Sequence, residues 1–190
     1  MEDTYEKIIK SAYEIFSKEG YQKASINKIK DRAKVSKGAI YHYFKSKEEL
    51  YFKVLEYFLF EFTNIVDNVE ISNLKDLESL GLVYIKRYKE DNEMQKFLID
   101  FFLQSMLNKK INKLMNDFLK KAIEFIESKI VEMQRKGIIL NEINANFLAQ
   151  KIFLILDSLG IYISIGSDII DLERIWIDYV NNNLGIYFKD

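Results

Sequence analysis

The chain has 190 residues, 48% hydrophobic and 30% charged, a balance that fits a soluble globular protein and excludes a disordered one. It contains no cysteine, which excludes disulfides and thiolate metal sites, and no proline, which favours helix throughout. The net charge of −1 conceals a local excess: residues 21–47 hold eight cations against Asp31 alone, a net +7 that points to a polyanionic partner at that end.

The opening stretch, MEDTYEKIIKSAYEIF, starts acidic and reads as an amphipathic helix, not as a signal peptide. Ile8, Ala12, Ile15 and Phe16 recur at helical spacing, and Gly20 closes this helix near residue 19. Ser25 caps a second helix whose Ile26, Ile29 and Ala33 share one side, and Ser36 caps a third with Ile40 and Phe44 facing inward. Ser46 with Glu49 fits a capping box that opens a long fourth helix running to about residue 68. After a loop at VEISN, helical patterns cover 74–90, 93–107, 110–136 (stopped by Gly137), 144–165 and 171–184. No repeat, low-complexity linker or strand-like alternation interrupts them. The expected fold is all-α, with a helix-turn-helix domain over residues 1–47 and a larger helical domain over 48–190.

The longest apolar run, Ile152 to Ile165, is broken by Asp157 and Ser158 and reads as too short to span a bilayer, so the expectation is a cytoplasmic protein with no membrane partner. The chain also lacks a P-loop, a dinucleotide glycine pattern, a Cys/His pair and a Glu-x-x-His motif. His42, the single histidine, has no second ligand to join it. No catalytic residue, metal or cofactor is expected, and the enzyme reading has no support.

Chemistry concentrates in AKVSKGAIYHYFKSKEEL, residues 33–50. Two short helices joined by a tight turn are the layout of a helix-turn-helix, whose second helix enters the DNA major groove. Ser36, Lys37, Gly38 and Ala39 then occupy the end that reaches base edges. Gly38 lets the backbone come close, Ala39 suits a thymine methyl, and Lys37 suits guanine O6 and N7. Tyr41, His42 and Tyr43, with Lys45 and Lys47 beyond, suit phosphate oxygens. The free N–H groups at the helix starts near Ser25 and Lys47 add anion sites.

The run IIKSAYEIFSKEGYQKASINKIKDRAKVSKGAIYHYFKSKEEL, residues 8–50, resembles the N-terminal DNA-binding domain of the TetR family of bacterial transcriptional regulators. The likeness lies in the apolar helix ending in Phe and Gly-Tyr, the Ser cap, the Ala-x-Val-Ser turn and YHYFKSKEEL. It implies phosphate contacts from Ser25, Tyr41, Tyr43 and Lys47, and groove contacts from Lys37, Gly38, Ala39, Asn27 and His42. One position departs from the family pattern: Lys34 stands where the turn usually has glycine, and a lysine at positive φ costs about 1 kcal/mol.

The resemblance further implies a ligand cavity in the C-terminal domain. Tyr84, Tyr88, Phe97, Phe101, Gln104, Phe118, Asp157 and Tyr162 are its candidate lining, and the aromatic composition leans toward a small hydrophobic or amphipathic effector. Asp100, Gln104 and Asp157 interrupt apolar segments and need partners if buried. Helix 144–165 is apolar nearly all round, unlike a peripheral helix of a monomer. Phe153, Leu154 and Ile161, with Ile175, Trp176 and Tyr179 from the last helix, are therefore expected at a two-fold homodimer interface. The expected function is a dimeric repressor that binds a near-palindromic double-stranded DNA operator and is released by its effector.

Overall fold

The computed structural model describes residues 3–67, 69–166 and 168–189, with the backbone alone over 58–67. Nine α-helices follow in chain order among these residues: α1 (Thr4–Lys23), α2 (Ile26–Ala33), α3 (Lys37–Tyr43), α4 (Lys47–Asp67), α5 (Leu74–Glu90), α6 (Asn92–Leu107), α7 (Lys109–Arg135), α8 (Ala145–Ile165) and α9 (Leu172–Asp178). A π-helical turn over Tyr179–Leu184 and a 3-10 turn over Gly185–Tyr187 extend α9. The described residues hold no strand, only an isolated antiparallel bridge between Ile139 and Phe188. The fold class is all-α, as the composition required.

Capping explains most boundaries. Ser25 Oγ accepts from the Lys28 N–H at the start of α2, and Ser36 Oγ accepts from the Ala39 N–H at the start of α3. Asn73 and Asp76 form a reciprocal capping box at α5. At α4, Ser46 Oγ accepts from the Glu49 N–H, whereas the Glu49 carboxylate reaches back to the Lys45 N–H. Gly20 does not end α1 but kinks it, at φ 73° and ψ 163°, and a last turn continues to Lys23. Lys34 does take the left-handed conformation, at φ 55° and ψ 44°, because its own N–H and that of Val35 both close on the Lys30 carbonyl. The turn keeps its shape and bears the strain.

Two compact units result. Unit 1 comprises residues 1–62 and 93–118; unit 2 comprises 63–92 and 119–190. In unit 1, Ile8, Phe16, Ile29, Ile40, Phe44 and Tyr51 join Phe97, Phe101 and Ile111 in one core. Thus α6 and the start of α7 pack with the N-terminal helices. In unit 2, Leu77, Ile85, Leu148, Ile152, Leu159, Ile163 and Trp176 form the centre. Gly81 is what admits Trp176: a Cβ there would fall 2.0 Å from the indole, whose Nε1 donates to the Glu78 carbonyl at 3.0 Å.

Helix α8 is longer than the apolar run suggests. Its 21 residues include an 18-residue stretch of mean hydropathy 1.6, long and apolar enough to cross a membrane by length and composition. Within unit 2 it buries Leu148, Ala149, Ile152, Leu159 and Ile163, while Phe147, Leu154, Ile161 and Ile165 stay exposed along another side. Trp176, expected on a partner-facing surface, is instead 1% exposed in the core of its own unit. Tyr179 packs beside it with its hydroxyl buried, and Phe153 is half-buried. Of the interface candidates, Leu154, Ile161 and Ile175 are exposed.

Candidate nucleic-acid interface

Helix α3 is held by its apolar side. Ile40 is fully buried and Phe44 nearly so, and this turns the remaining residues outward. Lys37, Gly38, Tyr41, His42 and Tyr43 are exposed and Ala39 is half-exposed, so the small and cationic end expected at base edges lies on the surface. The Lys37 ammonium hovers 5.9 Å from the Tyr41 ring, and His42 meets Tyr43 edge-on at 5.0 Å. Tyr43 also leans on Tyr5 of α1 at 5.7 Å, which fixes its ring while leaving it 39% exposed.

The remaining candidates sit at helix starts on either side of α3. Ser25 spends its oxygen on the cap of α2, and Asn27 is exposed two residues along, in the first turn. Lys47 is more constrained than a free phosphate ligand: its ammonium donates to the Ala24 carbonyl at 2.8 Å and lies 4.1 Å above the Tyr21 ring. Burial pushes its pKa down, against the raising influence of Glu48 and Asp100. Glu48 is held below the usual carboxylate range, first by its own backbone N–H, then by the Ser46 hydroxyl and the Lys110 ammonium.

Lys28 pairs with Glu19, Lys30 with Asp31 and Arg32 with Glu14. Lys23, Lys34, Lys37 and Lys45 have no acid partner among the described residues. Three of the eight cations of the basic block are therefore paired with acids within the protein, Lys47 is engaged by the Ala24 carbonyl, and the other four are available to a polyanion.

Behind this surface lies a polar junction that the sequence only hinted at through Asp100 and Gln104. The kink at Gly20 frees the Tyr21 N–H, which donates to Asp100 Oδ2 at 2.8 Å; the Tyr51 hydroxyl donates to the same oxygen, and Gln104 Nε2 to Oδ1 at 3.3 Å. Gln22 Nε2 donates to Gln104 Oε1 at 2.8 Å. Burial drives the Tyr51 hydroxyl far above its ordinary range, reinforced by Asp100, and burial lifts Tyr21 to about 12. Around these groups Tyr51 packs against Phe16, Tyr21, Phe97 and Phe101 at centroid distances of 4.7–5.1 Å.

The junction takes up three of the ligand candidates. Phe97, Phe101 and Gln104 are buried in unit 1, where their contacts join α6 to α1 and α4. Phe118 packs on the same core. In unit 2, Tyr84 and Tyr88 stack at 5.9 Å against Gly160, Tyr88 reaches Ser164, and Asp157 lies near enough to both to influence their hydroxyls. Burial raises the Asp157 carboxyl above its usual range. Tyr162 is exposed on α8. Replacing Tyr51 by Phe keeps the ring and removes one donor from a charged acceptor. The expected loss is about 1.5–3 kcal/mol of stability, read by urea unfolding; an unchanged midpoint would rule out this hydrogen bond.

Residues 8–54 match the sequence model described as "Bacterial regulatory proteins, tetR family". The HTH-type transcriptional regulator QacR of Staphylococcus aureus is 30% identical over 60% of this chain and 64% of its own length. Against the first curated relatives, the match spans only 20–24% of their length. Among solved structures, a TetR-family transcriptional regulator from Mesorhizobium loti superposes with a TM-score of 0.79 at 20% identity, covering 98% of this chain and 97% of that one. The fatty acid regulator FadR of Bacillus subtilis, solved with stearoyl-CoA, gives a TM-score of 0.70 at 20% identity over 94% and 98%. At these identities the superpositions speak for the fold. The relatives are transcriptional regulators, not enzymes.

Proposed function

We propose, for a chain that belongs to the TetR family of bacterial regulatory proteins, that it is a ligand-responsive DNA-binding repressor of the cytoplasm. The observation that carries this reading is the outward face of α3. Lys37, Gly38 and Ala39 follow a Ser36 cap, and Tyr41, His42 and Tyr43 stand beside them. Small residues admit the helix to a major groove, Lys37 addresses guanine with Asn27 and His42 beside it in the groove, and the tyrosine hydroxyls and Ser25 meet the backbone. Lys47 contributes through the start of α4 more than through its engaged ammonium.

The acting species is a homodimer. Phe147, Leu154, Ile161 and Ile165 on α8, with Ile175 on α9, leave an apolar stripe that water disfavours. A second copy covers it through a two-fold four-helix contact, and this cover, not a bilayer, accounts for the composition of α8. Two α3 helices then face successive major grooves of a near-palindromic operator, about one helical turn apart.

The effector is a small hydrophobic or amphipathic molecule. Within unit 2 the stacked rings of Tyr84 and Tyr88 lie against Gly160 of α8, and Tyr162 is exposed on the same helix. An apolar ligand gains by covering such groups, and FadR of Bacillus subtilis offers a precedent in stearoyl-CoA. Tyr84, Tyr88, Asp157 and Tyr162 are the candidate contacts on α5 and α8. Release from DNA needs only a preference of about 1–3 kcal/mol for the conformer whose α3 helices no longer fit. Selection of duplexes from a randomised pool by the purified protein tests the reading: it predicts enrichment of an inverted repeat, and no enrichment over the starting pool would refute it.

A further inference from the structure

The basic block of residues 21–47 is not the only cationic surface in unit 1. Residues 101–116 contain Lys109, Lys110 and Lys113 and no acid. Asn108 Oδ1 caps α7 by accepting from the Lys110 N–H at 2.9 Å and the Ile111 N–H at 3.4 Å. Ile111 is fully buried, and Leu114, Met115 and Phe118 pack on the same core, so Lys109, Lys110 and Lys113 all point to solvent. None has an acid partner within ion-pair distance among the described residues.

That placement opposes the local electrostatics. Cations in the first turn of a helix face its positive end, and no acid in that turn of α7 offsets them. An anion seated beside these lysines would offset the arrangement. The neighbours indicate what it is. Gln104, one turn before Asn108, bonds to Gln22 beside the α1–α2 turn, so the end of α6 abuts the chain that leads into the Ser25 cap of α2. Lys110 also lies near enough to Glu48, at the start of α4, to help stabilise its carboxylate. The starts of α2 and α4 are the two helix ends assigned above to phosphates. The lysines of α7 continue that edge.

We propose that Lys109, Lys110 and Lys113 form a second, sequence-independent DNA contact, holding the phosphates of the duplex that flanks each half-site. This rests on the DNA-binding reading above and adds a footprint beyond the helix-turn-helix. A duplex backbone carries the charge density that three exposed lysines match, and such contacts set affinity and salt dependence without reading bases.

The test compares the full-length protein with its Lys109→Gln/Lys110→Gln/Lys113→Gln variant on two duplexes: the selected inverted repeat with about ten flanking base pairs on each side, and the same repeat trimmed to its ends. Binding is measured across a salt series, with far-ultraviolet circular dichroism confirming an unchanged fold. On the long duplex the variant should bind about tenfold more weakly, with a slope of log K against log salt shallower by about 2 or more for a dimer, one released contact per protomer at the least. On the trimmed duplex the two proteins should converge. Equal slopes on the long duplex, or an equal difference on both duplexes, would overturn the flanking contact while leaving the repressor reading intact. A wild-type chain that binds neither duplex overturns both.

Discussion

Alanine at both Lys37 and Tyr41 lowers operator affinity on the order of a hundredfold and flattens the preference for the selected sequence. Lys37 supplies a charged donor to a base edge, and each such pair discriminates by about 1–3 kcal/mol. Tyr41 supplies a backbone contact and a ring 5.9 Å from the Lys37 ammonium, so its loss also frees the lysine to wander. Neither side chain serves the core: Tyr41 is 47% exposed, and α3 is held by Ile40 and Phe44. Stability should therefore change by less than about 0.5 kcal/mol. Unaltered affinity and specificity, measured by fluorescence anisotropy on operator and scrambled duplexes, would count heavily against α3 as the reading element.

The second large effect is expected on α8. Lysine at both Leu154 and Ile161 places two charges in the stripe proposed to meet a second copy. Leu154 is 65% exposed and Ile161 36%, so the interior of unit 2 is left alone. A charge buried without a partner is strongly unfavourable, and two per protomer should abolish association. Sedimentation should then report the single-chain mass of 22.6 kDa. Because one half-site alone forfeits the gain from linked binding, operator affinity should fall by at least about a hundredfold. A variant that stays dimeric would place the interface elsewhere.

Much of this architecture was legible because local rules carried it. Ser25 and Ser36 were readable as caps from their position before periodic apolar residues, and both accept the expected backbone N–H. Lys34 shows where a local rule bends: the expected strain is present, and the hydrogen bonds to Lys30 hold the turn in spite of it. Long-range packing was not legible. Periodicity marks Phe97 and Phe101 as one buried side of a helix, but not that this side packs in one core with Phe16 and Tyr51. Trp176 has the spacing of a surface stripe, yet Gly81, ninety-five residues earlier, opens the slot it fills. Nor does a charge count over 21–47 reveal Lys109, Lys110 and Lys113. Their nearness to that block depends on a hydrogen bond between Gln22 and Gln104, residues eighty-two apart.

The central claim is that α3 of each protomer lies in a major groove of the same duplex. Because the chain has no cysteine, a His42→Cys variant carries a single attachment point on the exposed side of α3, suitable for a tethered iron chelate that cuts nearby DNA. The account predicts two symmetric clusters of strand cleavage on the selected operator, about one helical turn apart. Cleavage at a single locus, or scattered no more tightly than with free chelate, would contradict it.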